Sequence, residues 1–337
     1  MRKLASIQRI KSLETIEGAD AIEKATVLGW HLVVKKNEFK AGDLCVYIEI
    51  DSVLPDKTEF EFMKPRKMRV KTIRLRGQIS QGICFPLSIL PTQFEIEEDK
   101  DCTEVLGIIK YEPPVPAHLA GIAKGKFPGF IPKTDETRVQ VLQSVLDKYQ
   151  GMKCYVTEKI DGSSVTYYHR NGEFGVCSRN LELVLDPENS YWKFALENDI
   201  ENKLASLGNF ALQGEMAGEG IQKNILKLHA QTVFFFNLFD IDKYEFVPLR
   251  KFQSILPGFN LQMVPLIDEN YLLTNDIEKI VKDATIKSSI NKEAYAEGIV
   301  TRPLDEKLNS EISKEEDIYP RFSFKAINPE FLLKYGE

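Results

Sequence analysis

The stretch YEPPVPAHLAGIAKGKFPGFIPK, from Tyr111 to Lys133, constrains the fold of this chain more than any other feature. Eight of its 23 residues are Pro or Gly, and it holds neither a helical nor a strand period. Such a segment sustains no long helix and no central strand, so it divides the chain into two folding units. We read the boundary near Ile109, with 1–109 as one domain, 110–133 as a linker and 134–337 as a second domain. At 337 residues, 43% hydrophobic and 28% charged, each part has enough apolar side chain to close a core of its own.

The first part is a succession of short strand patterns, KLASIQRI, EKATVLGWHLVVKK, DLCVYIEI and GICFPL, broken at Gly18, Gly42, Pro55, Gly77 and Gly82. Strands of this length and spacing predict a small closed barrel of the OB type. A net charge of −6 speaks against a nucleic-acid partner, but its distribution does not. Between Lys64 and Arg76 seven basic residues occur with no acidic one. Apolar and basic residues alternate there, with a phase slip at Thr72, which predicts one bulged strand with an apolar and a basic face. Arg69, Lys71, Arg74 and Arg76 would follow an RNA backbone from that face; the alternative is an edge strand charged for solubility.

In the second part, Thr134 or Asp135 is expected to cap a helix carrying Val139, Leu142, Val145 and Leu146, and Asp186-Pro187 to start another that runs through Leu204. Strands are predicted at CYVTEKI, SVTYYHR, GEFGVCSRN, NFALQGEMAG, TVFFFNLFDI, EGIVTRP and RFSFKAI, and a last helix at Asn328-Pro329. The fold class is α+β. CYVTEKI and SVTYYHR read as a hairpin turning at Asp161-Gly162. That places Lys159 at the end of a buried strand, where an amine loses hydration unless it is paired, deprotonated or used covalently.

Five scattered cysteines without a Cys-x-x-Cys pair argue against a disulfide framework and a zinc site, and His31, His118, His169 and His229 show no ligand spacing. GEMAGEGIQKN lacks the Gly-Lys-Ser/Thr of a phosphate loop. No apolar run approaches a membrane span and the amino terminus lacks a signal-peptide core, so no membrane partner and a cytoplasmic or other reducing compartment are expected.

Polar residues recur at strand ends in the second part: Lys159-Ile160-Asp161-Gly162, Ser178-Arg179-Asn180, Gly214-Glu215, the aromatic run Phe234 to Phe239, Glu297-Gly298 and Phe324-Lys325. In this order they resemble the covalent nucleotidyltransferase superfamily of RNA ligases, DNA ligases and mRNA capping enzymes. PKTDETRVQ, EKIDGSS, VCSRN, AEGIV and FSFKAIN together resemble the RNA ligase 2 group. The layout is most similar to the Naegleria-type RNA ligases, also called the RNA ligase 5 family, whose OB domain is amino-terminal. DNA ligases and capping enzymes place an OB domain after the last lysine motif, whereas twelve residues follow Lys325 here. Ser164 stands where DNA ligases typically carry Arg.

The resemblance implies an OB barrel followed by an ATP-grasp-like ligase domain of antiparallel sheets and helices. It implies an ATP-dependent RNA ligase that joins 3′-hydroxyl and 5′-phosphate ends, with nicked duplex RNA as substrate, acting as a monomer. Lys159 would attack the α-phosphorus of ATP to form lysyl-AMP, with Lys325 lowering its pKa and neutralising the phosphate. Glu297 and Asp161 would hold Mg²⁺ or Mn²⁺, although Asp161 also fits as a turn cap. Glu158, Ile160, Arg179 and Glu215 would bind the nucleotide, and Phe236, or failing it Phe239, would stack on adenine. Ser323 departs from the Lys-x-Lys of many ligases. A guanylyltransferase and an inactive RNA-binding relic are the alternatives.

Overall fold

The computed structural model describes residues 3–111, 123–316, 318 and 320–336. The chain divides into two compact units, Met1–Pro114 with Leu332–Glu337, and Val115–Phe331. The first runs past Ile109 because Ile109–Lys110 pairs with Ser52–Val53 and Arg69 lies over the Tyr111 ring. His118 and the middle of the Pro/Gly-rich segment lie outside the described residues. The end of that segment is a strand, Ala123–Lys126, paired with Leu181–Leu183.

The first unit is built on a five-stranded antiparallel sheet in the order Trp30–Lys35, Ile22–Val27, Ala5–Thr15, Leu44–Ile48 and Ile83–Phe85. The eleven-residue strand Ala5–Thr15 serves both halves: Ala5 to Arg9 pair with Leu44–Ile48, and Ile10 to Thr15 with Ile22–Val27 across a register shift. A shift of this kind bends a strand and coils its sheet. The sheet nearly closes, and Val33 N–H donates to Ser80 Oγ at 3.0 Å from its far side. Ile7, Ile10, Trp30, Leu32, Val46 and Ile48 fill the interior.

The basic run does not form the strand expected of it. Thr58–Arg66 is a 3₁₀ helix with Pro65 inside it, Lys67 and Met68 adopt left-handed φ of 53° and 57°, Arg69 makes an isolated bridge to Val53, and Thr72–Leu75 is the strand of the run. That strand pairs with Gln78–Gln81 in unbroken register, so Thr72 starts a strand and marks no bulge. The cause is local: Pro65 has no N–H to give a ladder, and Phe60 and Met63, three residues apart, are both buried by coiling the chain.

Among the described residues the second unit contains two sheets. One, of eight strands, includes Glu173–Ser178, Ser163–Arg170, Phe210–Ala217 and Thr232–Asp240 as neighbours in that order; the other, of five, runs Thr137–Arg138, Phe324–Ile327, Gly298–Pro303, Lys153–Lys159, Leu266–Leu272. All seven predicted strands are present. The predicted hairpin is not, because Lys153–Lys159 and Ser163–Arg170 belong to different sheets, each already flanked on both sides. Asp161-Gly162 therefore carries the chain from one sheet to the other. The crossing is tight: a Cβ on Gly162 would lie 2.3 Å from the Met216 carbonyl oxygen.

Two helix starts also differ. Neither Thr134 nor Asp135 is at the helix start; Thr137–Arg138 is a strand, Val139–Val141 a 3₁₀ turn, and the helix is Gln143–Lys148 with Leu142 at its N-cap, Val139, Leu142, Val145 and Leu146 being buried as expected. The Asp186-Pro187 helix is two helices, Ser190–Glu197 and Ile200–Ala205, parted at Asp199 with φ 49°. Asn189 caps the first, its Oδ1 accepting from the N–H groups of Tyr191 and Trp192, whereas Asp186 accepts from Glu188 N–H in the preceding turn. Pro329–Tyr335 is helical, with Asn328 Oδ1 accepting from Glu330 and Phe331 N–H. The five cysteines are buried and unbridged. Among the described residues no helix is long and apolar enough to cross a membrane.

Candidate active site

Strand register gathers the polar residues. Lys159, the last residue of its strand, lies opposite Gly298, and Val300 on that same strand lies opposite Lys325. A Cβ on Gly298 would fall 2.1 Å from the Ala326 carbonyl oxygen, so glycine is what lets these strands close up beside Glu297. The result is an ion pair of 2.6 Å between Lys159 Nζ and Glu297 Oε2. Glu215 comes from the other sheet, where it is in register with Ser164, just beyond the Gly162 crossing.

The electrostatics follow from this grouping. Burial works against the Lys159 ammonium, but Glu297, Glu215 and Asp161 outweigh it and hold its pKa above the ordinary lysine value. The lowered pKa expected of Lys159 depends on a divalent metal as well as on Lys325, and the carboxyl groups alone act the other way. Burial pushes Glu215 up to about 8, Lys159 opposes the shift, and Glu297 and Asp161 reinforce it. Lys325 is pushed down to about 7 by burial and by the cations of Arg138 and Lys159. Three carboxyl groups thus surround one ammonium; Glu215 keeps its proton at neutral pH, and the oxygens of Glu297 and Asp161 are the hard ligands that a divalent cation takes. Among the described residues no group of three His, Cys, Asp or Glu side chains could hold an ion by itself. A cation at Glu297 and Asp161 would share its shell with water and phosphate oxygens, as Mg²⁺ does.

Behind Lys159 opens a crevice walled by Thr157, Glu158, Lys159 and Ile160, by Val300 and Arg302, and by Glu215, Phe236 and Val264 from the facing sheet. Phe236 lines it, whereas Phe239 is buried against Tyr244 and Phe246, which separates the two candidates. Glu158 Oε2 accepts from Ser289 N–H at 2.8 Å, and its Oε1 is buried without a partner. The Ile160 side chain packs into a small core with Phe234 and Val264. Arg179 is paired with Asp135 and is not part of the crevice wall, although its charge reaches Glu215. Ser323 Oγ is buried without a hydrogen bond.

Arg69, Lys71, Arg74 and Arg76 belong to the other unit. Arg69 is half-buried, its guanidinium 3.4 Å from the Tyr111 ring centroid, and Lys71 is half-buried; Arg74 and Arg76 are exposed on the Thr72–Gln81 hairpin.

Two residues of this site escaped the sequence reading. Arg302 is 2% exposed, donates from Nη2 to Glu136 Oε1 at 2.8 Å, and keeps Nε and Nη1 buried without partners. Strand alternation within EGIVTRP puts it on the same face as Gly298 and Val300, which was the available signal. Arg138 lies opposite Lys325 in a parallel pairing that local sequence does not announce.

Residues 152–327 match the RNA ligase family. The chain belongs to that family. In this RNA ligase, residues 4–87 also match an OB-fold domain. Among solved structures the ligase is similar to a Naegleria gruberi RNA ligase mutant in the apo form, with a TM-score of 0.88 and 38% identity over 98% of this chain and 97% of that one. A mutant of the same protein with AMP and Mn gives 0.88 and 39%, covering 98% of both chains. Another, with ATP and Mn, gives 0.88 and 38%, again over 98% of both chains. No curated protein matches.

Proposed function

We propose that this RNA ligase uses ATP to join 3′-hydroxyl to 5′-phosphate ends, preferentially at nicks in duplex RNA, through lysyl-AMP on Lys159 and then RNA-adenylate. The observation that carries this reading is the Lys159–Glu297 pair at the mouth of a crevice that offers an aromatic face, an aliphatic face and buried polar atoms to a nucleotide. The Naegleria ligase structures with ATP, AMP and Mn support it.

Phe236 would stack on adenine opposite Val300, with Glu158 and Arg302 meeting the edge of the base. Glu215 and Arg179 would hold the ribose, Arg179 first leaving Asp135. Glu297 and Asp161 would hold Mg²⁺ or Mn²⁺, whose positive charge would offset their grip on the Lys159 proton. Deprotonated Lys159 attacks the α-phosphorus; the N–P bond forms as the bond to pyrophosphate breaks. Lys325 and Arg138 neutralise the α-phosphate, so the cation missing at Ser323 is met from the adjoining strand. In the barrel, Arg74 and Arg76 are the exposed members of the basic set and would contact RNA phosphates.

Incubation with α-labelled ATP or GTP and metal, followed by denaturation, tests the reading. Label from ATP retained on the protein is expected. Label from GTP instead would make the enzyme a guanylyltransferase, and no label from either would leave a binding protein.

A further inference from the structure

Among the Phe, Tyr and Trp side chains of the described residues only two are exposed, Phe62 at 60% and Tyr244 at 44%. Tyr244 packs edge-on against Phe239. Phe62 tilts against half-buried Phe85 at 6.1 Å, and Phe85 meets buried Phe60 edge-on at 5.4 Å, so an aromatic series leads from the core of the barrel to its surface. The turn that presents Phe62 is firmly seated. Phe60 and Met63 anchor it on either side, and Lys67 and Met68 close it by donating to the carbonyls of Lys64 and Met63 at 2.9 and 3.1 Å.

The turn carries both signs: Glu59 and Glu61 precede Phe62, whereas every charged residue from Lys64 to Arg76 is basic. Lys64 is spent on Glu61 and Asp56, at 3.0 and 3.3 Å, but Arg66 and Lys67 are exposed. A fixed, solvent-facing ring with two exposed cations at the end of the same turn suits a base and its flanking phosphates, since every base has a π-face and no sequence needs to be read. An apolar protein partner would leave those cations to be desolvated.

We propose that Phe62 is a stacking platform for an unpaired base of the bound RNA, with Arg66 and Lys67 on the adjoining phosphates. The proposal rests on the RNA ligase reading above. Its test uses the full-length protein, a single-stranded RNA oligonucleotide, and a nicked duplex with a single-stranded extension, each carrying a 2-aminopurine reporter. Phe62→Ala should weaken binding by about 5- to 150-fold, the range for loss of one base stack, with the salt dependence unchanged. Phe62→Trp should keep wild-type affinity and quench the reporter. Arg66→Ala and Lys67→Ala should each lower the salt slope by about one. Wild-type affinity in Phe62→Ala overturns the proposal, as does wild-type affinity in Phe62→Leu, which would mean apolar packing and not stacking. Labelling by α-labelled ATP is followed in parallel: its absence from the wild-type protein would sink the ligase reading, whereas its persistence in every variant confines the result to Phe62.

Discussion

The crevice behind Lys159 and the basic run of the barrel are opposite cases of how sequence maps onto space. Lys159 and Glu297 are 138 positions apart and meet at 2.6 Å, and Lys325 and Arg138 join them from two further strands. Lys64 to Arg76 are contiguous, yet they are dispersed over a 3₁₀ helix, a left-handed corner and a hairpin. In a sheet, register gives each residue a lateral address, so residues far apart along the chain are brought abreast by backbone pairing. A run of like charges has no such address. Its path is decided by the few residues that must be buried, here Phe60 and Met63, and by Pro65.

The comparison breaks most sharply at Lys159. Lys159→Ala should abolish lysyl-AMP formation, since no other amine occupies that address, while pre-adenylated RNA should still be sealed; loss of both in a folded protein would contradict the separation of steps. Glu297→Ala and Lys325→Ala should slow adenylation by about 10² or more, measured as the rate of label transfer, and near wild-type rates would remove either residue from the site.

Glu215 gives a smaller effect of definite sign. Its carboxyl titrates near 8 when folded against 4.5 for the ordinary group, so between those values the folded state binds the extra proton and stability falls as pH rises. Glu215→Gln should therefore melt higher than wild type, by a margin that grows from pH 4.5 to 8; a margin constant with pH would refute the shift. The smallest effect belongs to the dispersed charges. Arg74→Ala and Arg76→Ala should each remove about one unit from the log–log salt slope of RNA binding and leave adenylation unchanged, while Arg69→Ala, stacked on Tyr111, should alter the slope little.

The strands of the second unit were legible because aromatic and β-branched runs such as TVFFFNLFDI end abruptly at polar residues or glycine. Which strands share a sheet was not legible: nothing in VTEKIDGSSVTYY distinguishes a hairpin from a crossing between sheets, and the contact that demands Gly162 comes from Met216. Thr134 and Asp135 imitated a helix cap because capping groups are also good partners for distant side chains. Here Thr134 binds Ser164, Asp135 pairs with Arg179, and the next residue, Glu136, takes Arg302. Arg302 was passed over for the same reason, since its neutralising carboxylate is 166 positions away.

The Lys159–Glu297 pair also bears on chemical selectivity. An amine is dangerous to its owner when idle, because any passing acyl donor or aldehyde competes for it. With its lone pair tied up by a proton and its charge shared with a carboxylate, Lys159 is the lysine that amine-directed labels should find last, and the one whose labelling should accelerate when Glu297 is replaced. If Lys159 is the nucleophile proposed above, the same contact would serve as a sheath, keeping the amine intact between turnovers.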